Sequence, residues 1–223
     1  MEKSVLNYIT EDEVIDLAKS IVEIPSFPPD ETPVARFLAK FMKENGIETE
    51  LQEVEPGRFQ PLGRIKGTGG GPSLMFNGHM DIDAMTLGHK RDPFNATVEE
   101  DRLYGHGIGN MKGGVAAMVM AAVAIKRAAV KLEGDLLIAC VVGELQGGVG
   151  TDFLVKKKIL TDYALVPEPS DLKVRLATAG VVIVLVRTIG KAVHVGEIYE
   201  TKSVDAVEKM FRVWQALKRM SKE

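Results

Sequence analysis

Four short segments carry residue types that chemistry needs: Gly78-His79-Met80-Asp81, the Gly-rich stretch 105–114 with His106, Asn110 and Lys112, then Gly143-Glu144-Leu145-Gln146-Gly147-Gly148, and Val166-Pro167-Glu168-Pro169-Ser170. Each follows an apolar run or a Gly-rich turn, the place where a parallel sheet presents ligands beyond the C-terminal ends of its strands. A lone His there is usually structural, and a lone Glu usually caps a helix. Four such segments in order argue for one site. The chemistry fits a metal ion. His79 offers an imidazole nitrogen and Glu168 a carboxylate. Asp81, two residues beyond His79, shares its side of an extended chain and is expected to hold the other ring nitrogen, fixing the tautomer. Glu144 is a second carboxylate, suited to take a proton from a metal-activated water.

The elements that must position these residues are readable from periodicity. Thr10 and Glu13 form a capping box ahead of a helix with apolar residues at helical spacing, ended by Pro25. A second helix is predicted over 32–45, with Gly46 as its stop. Strands are predicted over 47–54, 60–66, 73–77, 135–142 and 163–166, and helices over 110–129 and from about 148. The stretch 84–104 reads as one long polar loop. Helices alternating with buried strands indicate an α/β fold, a three-layer sandwich with a mostly parallel central sheet. After residue 172 the pattern changes to one long apolar strand, 178–188, and an amphipathic helix, 203–220. The division expected is residues 1–177 as one domain and 178–223 as the first strand and helix of another.

In order and spacing the four segments resemble the signature of the acetylornithine deacetylase, succinyl-diaminopimelate desuccinylase, aminoacylase and carboxypeptidase G family of zinc peptidases. In that family the segments read Gly-His-x-Asp, Asp-Met-Lys-Gly-Gly, Glu-Glu-x-Gly-Gly, and a carboxylate before Pro-Ser or Pro-Thr. The stretch Gly190-Lys191-Ala192-Val193-His194 resembles the start of the family's lid domain, whose histidine reaches a partner subunit's active site. The resemblance implies an amide-bond hydrolase acting on N-acyl amino acids or small peptides. His79 and Glu168 would bind one zinc ion, Asp81 would orient His79, Glu144 would be the general base, and His194 would meet the developing oxyanion across a homodimer formed through the lid. Residues 1–177 would be the catalytic domain and 178–223 the beginning of the lid and dimerisation domain.

Three positions depart from the family pattern. Asn110 stands where a bridging carboxylate belongs, and Leu145 where a metal-binding Glu belongs. The family's C-terminal histidine has no counterpart, so a C-terminally truncated chain is expected. Two divalent ions about 3.5–4 Å apart repel and need a shared anion to hold them. A neutral amide and a leucine do not supply one. One ion is therefore expected rather than two, at His79, Glu168 and the amide oxygen of Asn110. Zinc leads, and cobalt or manganese would suit the same ligands. Asn110 reads equally as an N-cap for the helix beginning at Met111. Because of these departures a second function is kept open, a catalytically impaired family member that binds a ligand or partner without turnover.

The remaining features exclude more than they assign. The chain of 223 residues has a formal net charge of −3 and no obviously basic face, which argues against nucleic acid as a partner. Its apolar runs, 115–125 the longest among them, are shorter than the roughly 18 residues of a membrane helix, so no membrane is expected. No secretory signal opens the sequence, and a cytoplasmic location is expected. The single Cys140 sits in an apolar run and reads as a buried small hydrophobe. His106 reads as a loop contact, His89 as solvent-exposed, and Lys112 as a surface or helix-end charge. The Gly105-x-Gly107 turn is not a dinucleotide fingerprint, because Asn110 replaces its third glycine.

Overall fold

The computed structural model describes residues 4–177, 180, 184–197, 199–200 and 202–220. The chain divides into two compact units, Met1–Val174 and Arg175–Glu223. After a 3-10 turn over Val5–Tyr8 comes α1 (Glu11–Val22), started by the Thr10–Glu13 capping box in both directions. Then follow α2 (Thr32–Glu44), β1 (Glu48–Glu55), β2 (Arg58–Ile65) and β3 (Leu74–His79). The rest of the unit comprises β4 (Thr97–Glu99), β5 (Arg102–Tyr104), α3 (Gly113–Arg127), β6 (Leu136–Val141), α4 (Val149–Lys156) and β7 (Tyr163–Leu165).

Five strands form one sheet in the order β1-β2-β6-β3-β7. β6 and β7 flank β3 and run parallel to it. β1 and β2 form an antiparallel hairpin that adds antiparallel to β6. The sheet is thus mixed, parallel on the side that bears the site and antiparallel on the other. The expected α/β sandwich with a mostly parallel sheet is met: four of its five strands share one direction and β2 runs against them. The short turn between β1 and β2 makes that pair antiparallel, since it cannot make a parallel crossover.

Every residue of β6 is buried. Ile138 and Cys140 face a core built with α1, α2 and α3, whereas Leu137, Ala139 and Val141 face Leu154 of α4. Two-residue alternation over a strand buried on both faces places helices on both sides, which makes the three-layer sandwich. The chain leaves β3 for β6 through α3 and leaves β6 for β7, on the other side of β3, through α4. A crevice at such a switch point is where an open α/β sheet takes its ligand. The segment Ile108–Arg127 is long and apolar enough to cross a membrane by length and composition. It is instead the core helix α3 with its lead-in turn, and Val115, Ala116, Val119, Ala122 and Val123 are fully buried.

The polar stretch 84–104 contains the β4–β5 hairpin, paired from Thr97–Tyr104 to Glu99–Arg102. Three-residue strands carrying charges at their turn give too little alternation to be read in sequence. Of the strand predicted over 178–188, positions 178, 179 and 181–183 lie outside the described residues, and 184–188 form no strand. In the second unit α5 runs Ala206–Met220. It begins later than expected because Asp205 Oδ1 caps it, accepting the N–H groups of Val207 (2.7 Å) and Glu208 (3.2 Å).

Candidate metal centre

The three parallel strands end at one place. β3 ends on His79, β6 is followed by Gly143 and Glu144, and β7 by Glu168. A wide turn over Ile108–Lys112, ahead of α3, adds Asn110. The His79 ring is buried, 3% exposed, and its two nitrogens face different groups. Nδ1 lies 2.9 Å from the backbone carbonyl of Asp81. Nε2 lies 3.1 Å from Asn110 Oδ1, 3.4 Å from Glu168 Oε1 and 4.0 Å from Glu144 Oε2. Ligand atoms of a tetrahedral zinc site, each roughly 2.0–2.1 Å from the ion, are about 3.3 Å from one another. The separations from His79 to Asn110 and to Glu168 bracket that value. Glu144 stands farther out, at 4.0 Å. His79, Asp81 and Glu144 also bring ligand atoms within 4.8 Å of one another. Both Asp81 oxygens, however, already accept backbone N–H groups, from Glu144 (3.1 Å) and Leu145 (2.9 Å).

Two expectations are refined here. The ring nitrogen of His79 is met by the Asp81 carbonyl at 2.9 Å as well as by the Asp81 carboxylate at 3.5 Å. The same carboxylate accepts the N–H groups of the turn that carries Glu144. Asn110 is not an N-cap. Its φ of −130° and ψ of 99° are extended, Lys112 occupies the cap position of α3, and no side chain caps that helix. The Asn110 amide is thereby free to face His79.

Electrostatics follow the same geometry. Burial opposes a charged His79 ring, but Asp81, Asn110 and Glu168 outweigh it and hold its pKa up to about 9. Burial likewise opposes a charged Asp81, yet the His79 ring and the two backbone N–H groups hold its pKa below the ordinary carboxylate range. Burial raises the Glu168 pKa, and the Glu144 and Asp81 charges raise it further against the pull of His79. A cluster of oxygens that stabilises a cationic imidazole is suited to stabilise a metal cation.

Lys112 is a correction to the surface charge expected. It is 1% exposed, and its Nζ donates to the carbonyls of Ile21 (2.7 Å) and Ile24 (2.8 Å), at and beyond the end of α1. Burial pushes its pKa down to about 7. The buried Ser26 of the same segment donates from Oγ to the Met80 carbonyl at 2.7 Å. One stretch of backbone after α1 therefore ties together the turn bearing Asn110 and the strand end bearing His79. Lys112→Met is expected to lower stability by about 2 kcal/mol, because two carbonyls lose a buried donor. Urea unfolding measures it, and a change below about 0.5 kcal/mol would return Lys112 to the class of ordinary surface charges.

The other candidates sit apart from the donors. Cys140 is fully buried, with burial pushing its thiol up to about 12, as fits a packing residue. His106 Nε2 lies 2.8 Å from the Asp83 carbonyl, and its ring contacts Phe27 and Phe94. His89 is exposed and meets the His106 ring edge-on. The Leu145 side chain offers no donor, and its part in the site is its backbone N–H. His194 belongs to the second unit, where its Nδ1 accepts the Gly196 N–H at 3.1 Å. Ser26, Glu31 and Arg58 are buried polar residues behind the site that no motif or spacing in the sequence marks.

A profile of Peptidase family M20/M25/M40 matches residues 75–220, more than half of the chain. The chain belongs to this peptidase family. Among curated relatives, N-formyl-4-amino-5-aminomethyl-2-methylpyrimidine deformylase of Bacillus subtilis is 32% identical over 171 residues, 74% of this chain and 40% of the relative. Probable succinyl-diaminopimelate desuccinylase of Staphylococcus aureus is 30% identical over 191 residues, 83% of this chain and 46% of the relative. The chain thus spans less than half the length of these M20 relatives. Among solved structures, an M20 family metallo-carboxypeptidase from Sulfolobus solfataricus matches with a TM-score of 0.62 at 22% identity, over 70% of this chain and 37% of that one. A tripeptidase from Staphylococcus aureus matches with a TM-score of 0.61 at 20% identity, over 93% of this chain and 57% of that one. At these identities the structural likeness speaks for the fold, an α/β sandwich of the M20 type.

Proposed function

We propose that this M20 chain carries the metal centre of an amide hydrolase acting on N-acyl amino acids or small peptides. The observation that supports it most is the convergence on His79 Nε2 of Asn110 Oδ1, Glu168 Oε1 and Glu144 Oε2. In this reading His79, Glu168 and Asn110 hold one divalent ion, with zinc the first choice for one nitrogen and two oxygen donors. A divalent ion there would make a water more acidic and polarise a scissile carbonyl. Glu144 is the base. Its side chain is half exposed, so an incoming substrate and a water can reach it. It takes the proton of the attacking water and then delivers it to the departing nitrogen. Asp81 holds the Glu144 turn and, through its carbonyl, the His79 ring. His194 is assigned to the oxyanion, contributed by the lid of a second copy of the chain. The first unit is read as the catalytic domain and the second as part of the lid.

One ion per chain is the expected stoichiometry. A neutral Asn110 provides no shared anion, and Leu145 provides no donor. Metal analysis of the zinc-loaded, desalted protein tests this, and two ions per chain would sink it. The function is tested by zinc-dependent release of acetate, succinate or formate from the corresponding N-acyl amino acids. Absence of turnover at micromolar enzyme favours the second reading, a family member that binds without turnover. Asn110 and Leu145 at metal-ligand positions are the observation on its side.

A further inference from the structure

We propose that Glu31, locked by Arg58, is a positioning residue for Glu144, acting through the backbone N–H of Gly143. The proposal rests on the reading of Glu144 as the base. Glu31 is fully buried and Arg58 is 4% exposed. Arg58 forks onto Glu31, with Nε 2.8 Å from Oε2 and Nη2 bonded to Oε1, and its remaining nitrogen, Nη1, reaches Glu55 Oε2 at 2.8 Å. A two-pronged guanidinium contact fixes both the place and the plane of the carboxylate. Glu31 Oε1 then accepts the Gly143 N–H at 3.2 Å.

The next two N–H groups, of Glu144 and Leu145, end on Asp81 Oδ1 and Oδ2. Three successive backbone donors at the exit of β6 are thus held by two buried carboxylates, Glu31 at one end and Asp81 at the other. Gly143 fits this clamp on two counts. Its φ is +67°, and a Cβ there would stand 2.9 Å from Arg58 Nη2. The Glu144 side chain is half exposed, so its reach toward His79 is set mainly by its backbone. Glu31 lies 112 residues from Gly143 in sequence and bonds it directly.

A buried ion pair contributes little stability compared with apolar residues of like volume. The Glu31–Arg58 pair is accordingly assigned to geometry. Its test separates geometry from stability with two variants, Glu31→Gln and the apolar pair Glu31→Leu/Arg58→Met. Losses of partners behind a metal site are on the order of 10–100-fold. Glu31→Gln is expected to reduce kcat about tenfold with KM held within about twofold, and the apolar pair to reduce kcat by up to about 100-fold with zinc content unchanged. Amide exchange at Gly143, Glu144 and Leu145 is expected to quicken while that of β6 and α3 stays as in the wild type. Unchanged exchange at these three amides, or a common acceleration of all amides, overturns the proposal, as does unchanged kcat in an active protein. The exchange comparison requires no turnover. A wild type that hydrolyses nothing therefore sinks the hydrolase reading and leaves the clamp to be decided by exchange. Should the apolar pair not fold, Glu31→Gln, which keeps the side-chain volume, decides it alone.

Discussion

Replacing Glu144 by Gln is expected to lower kcat by about 10²–10⁴-fold, the usual contribution of a general base. KM and metal content should stay close to the wild type. The reason lies in the distances at His79 Nε2. Asn110 and Glu168 stand at 3.1 and 3.4 Å, whereas Glu144 stands at 4.0 Å with its side chain half exposed. The Gln keeps the size and the backbone bonds to Asp81 but cannot take up a proton. Stability should change little, since an exposed carboxylate is exchanged for an amide. Steady-state kinetics on an N-acyl amino acid, together with thermal unfolding, measures both quantities. A Gln variant with more than about a tenth of wild-type kcat would remove Glu144 from the role of base.

The second large effect is on metal affinity and its pH dependence. His79→Ala removes the nitrogen around which the three oxygens gather and is expected to abolish zinc retention on desalting. In the wild type, the His79 pKa near 9 means that a metal must displace a proton throughout the neutral range. Zinc affinity should therefore rise about tenfold per pH unit up to about pH 9 and then level off. Stability of the metal-free protein should run the opposite way. A His whose folded pKa is raised stabilises fully below its unfolded pKa, near 6.5, and loses that contribution as pH rises through about 9. The loss is about 3 kcal/mol, since one pKa unit corresponds to about 1.4 kcal/mol. His79→Ala should flatten this slope. Competitive zinc titrations and urea unfolding at pH 6, 7, 8 and 9 give the two curves. A zinc affinity independent of pH would show that the ring is neutral and not held by its anionic neighbours.

Much of the site is legible in the amino-acid sequence because its polar residues lie in short glycine- or proline-flanked segments after apolar runs. His79, Glu144 and Glu168 stand out this way, and β3, β6 and β7 bring all three to one edge. The residues behind them are not legible. Glu31, Arg58 and Lys112 look like ordinary surface charges in sequence. Whether a charge is buried depends on a partner, and these partners lie 27, 112 and 91 residues away along the chain. Asp81 shows a subtler limit. The two-residue period of an extended chain places its carboxylate beside His79. With β6 next to β3, two N–H groups of the following turn claim it as well as the ring.

The sequence alone determined many local choices: helices α1 to α4, the five strands of the main sheet, the side chains with metal-binding chemistry, and the family they resemble. Those depend on periodicity, capping and residue chemistry within a few positions. The tertiary structure decided the mixed sheet, the facing of Asn110 toward His79 and the burial of Lys112. It also decided the clamp of Glu31 and Asp81 on the Glu144 turn. Each of these depends on a hydrogen bond or ion pair between segments far apart in the chain, and only the packed strands and helices set that distance.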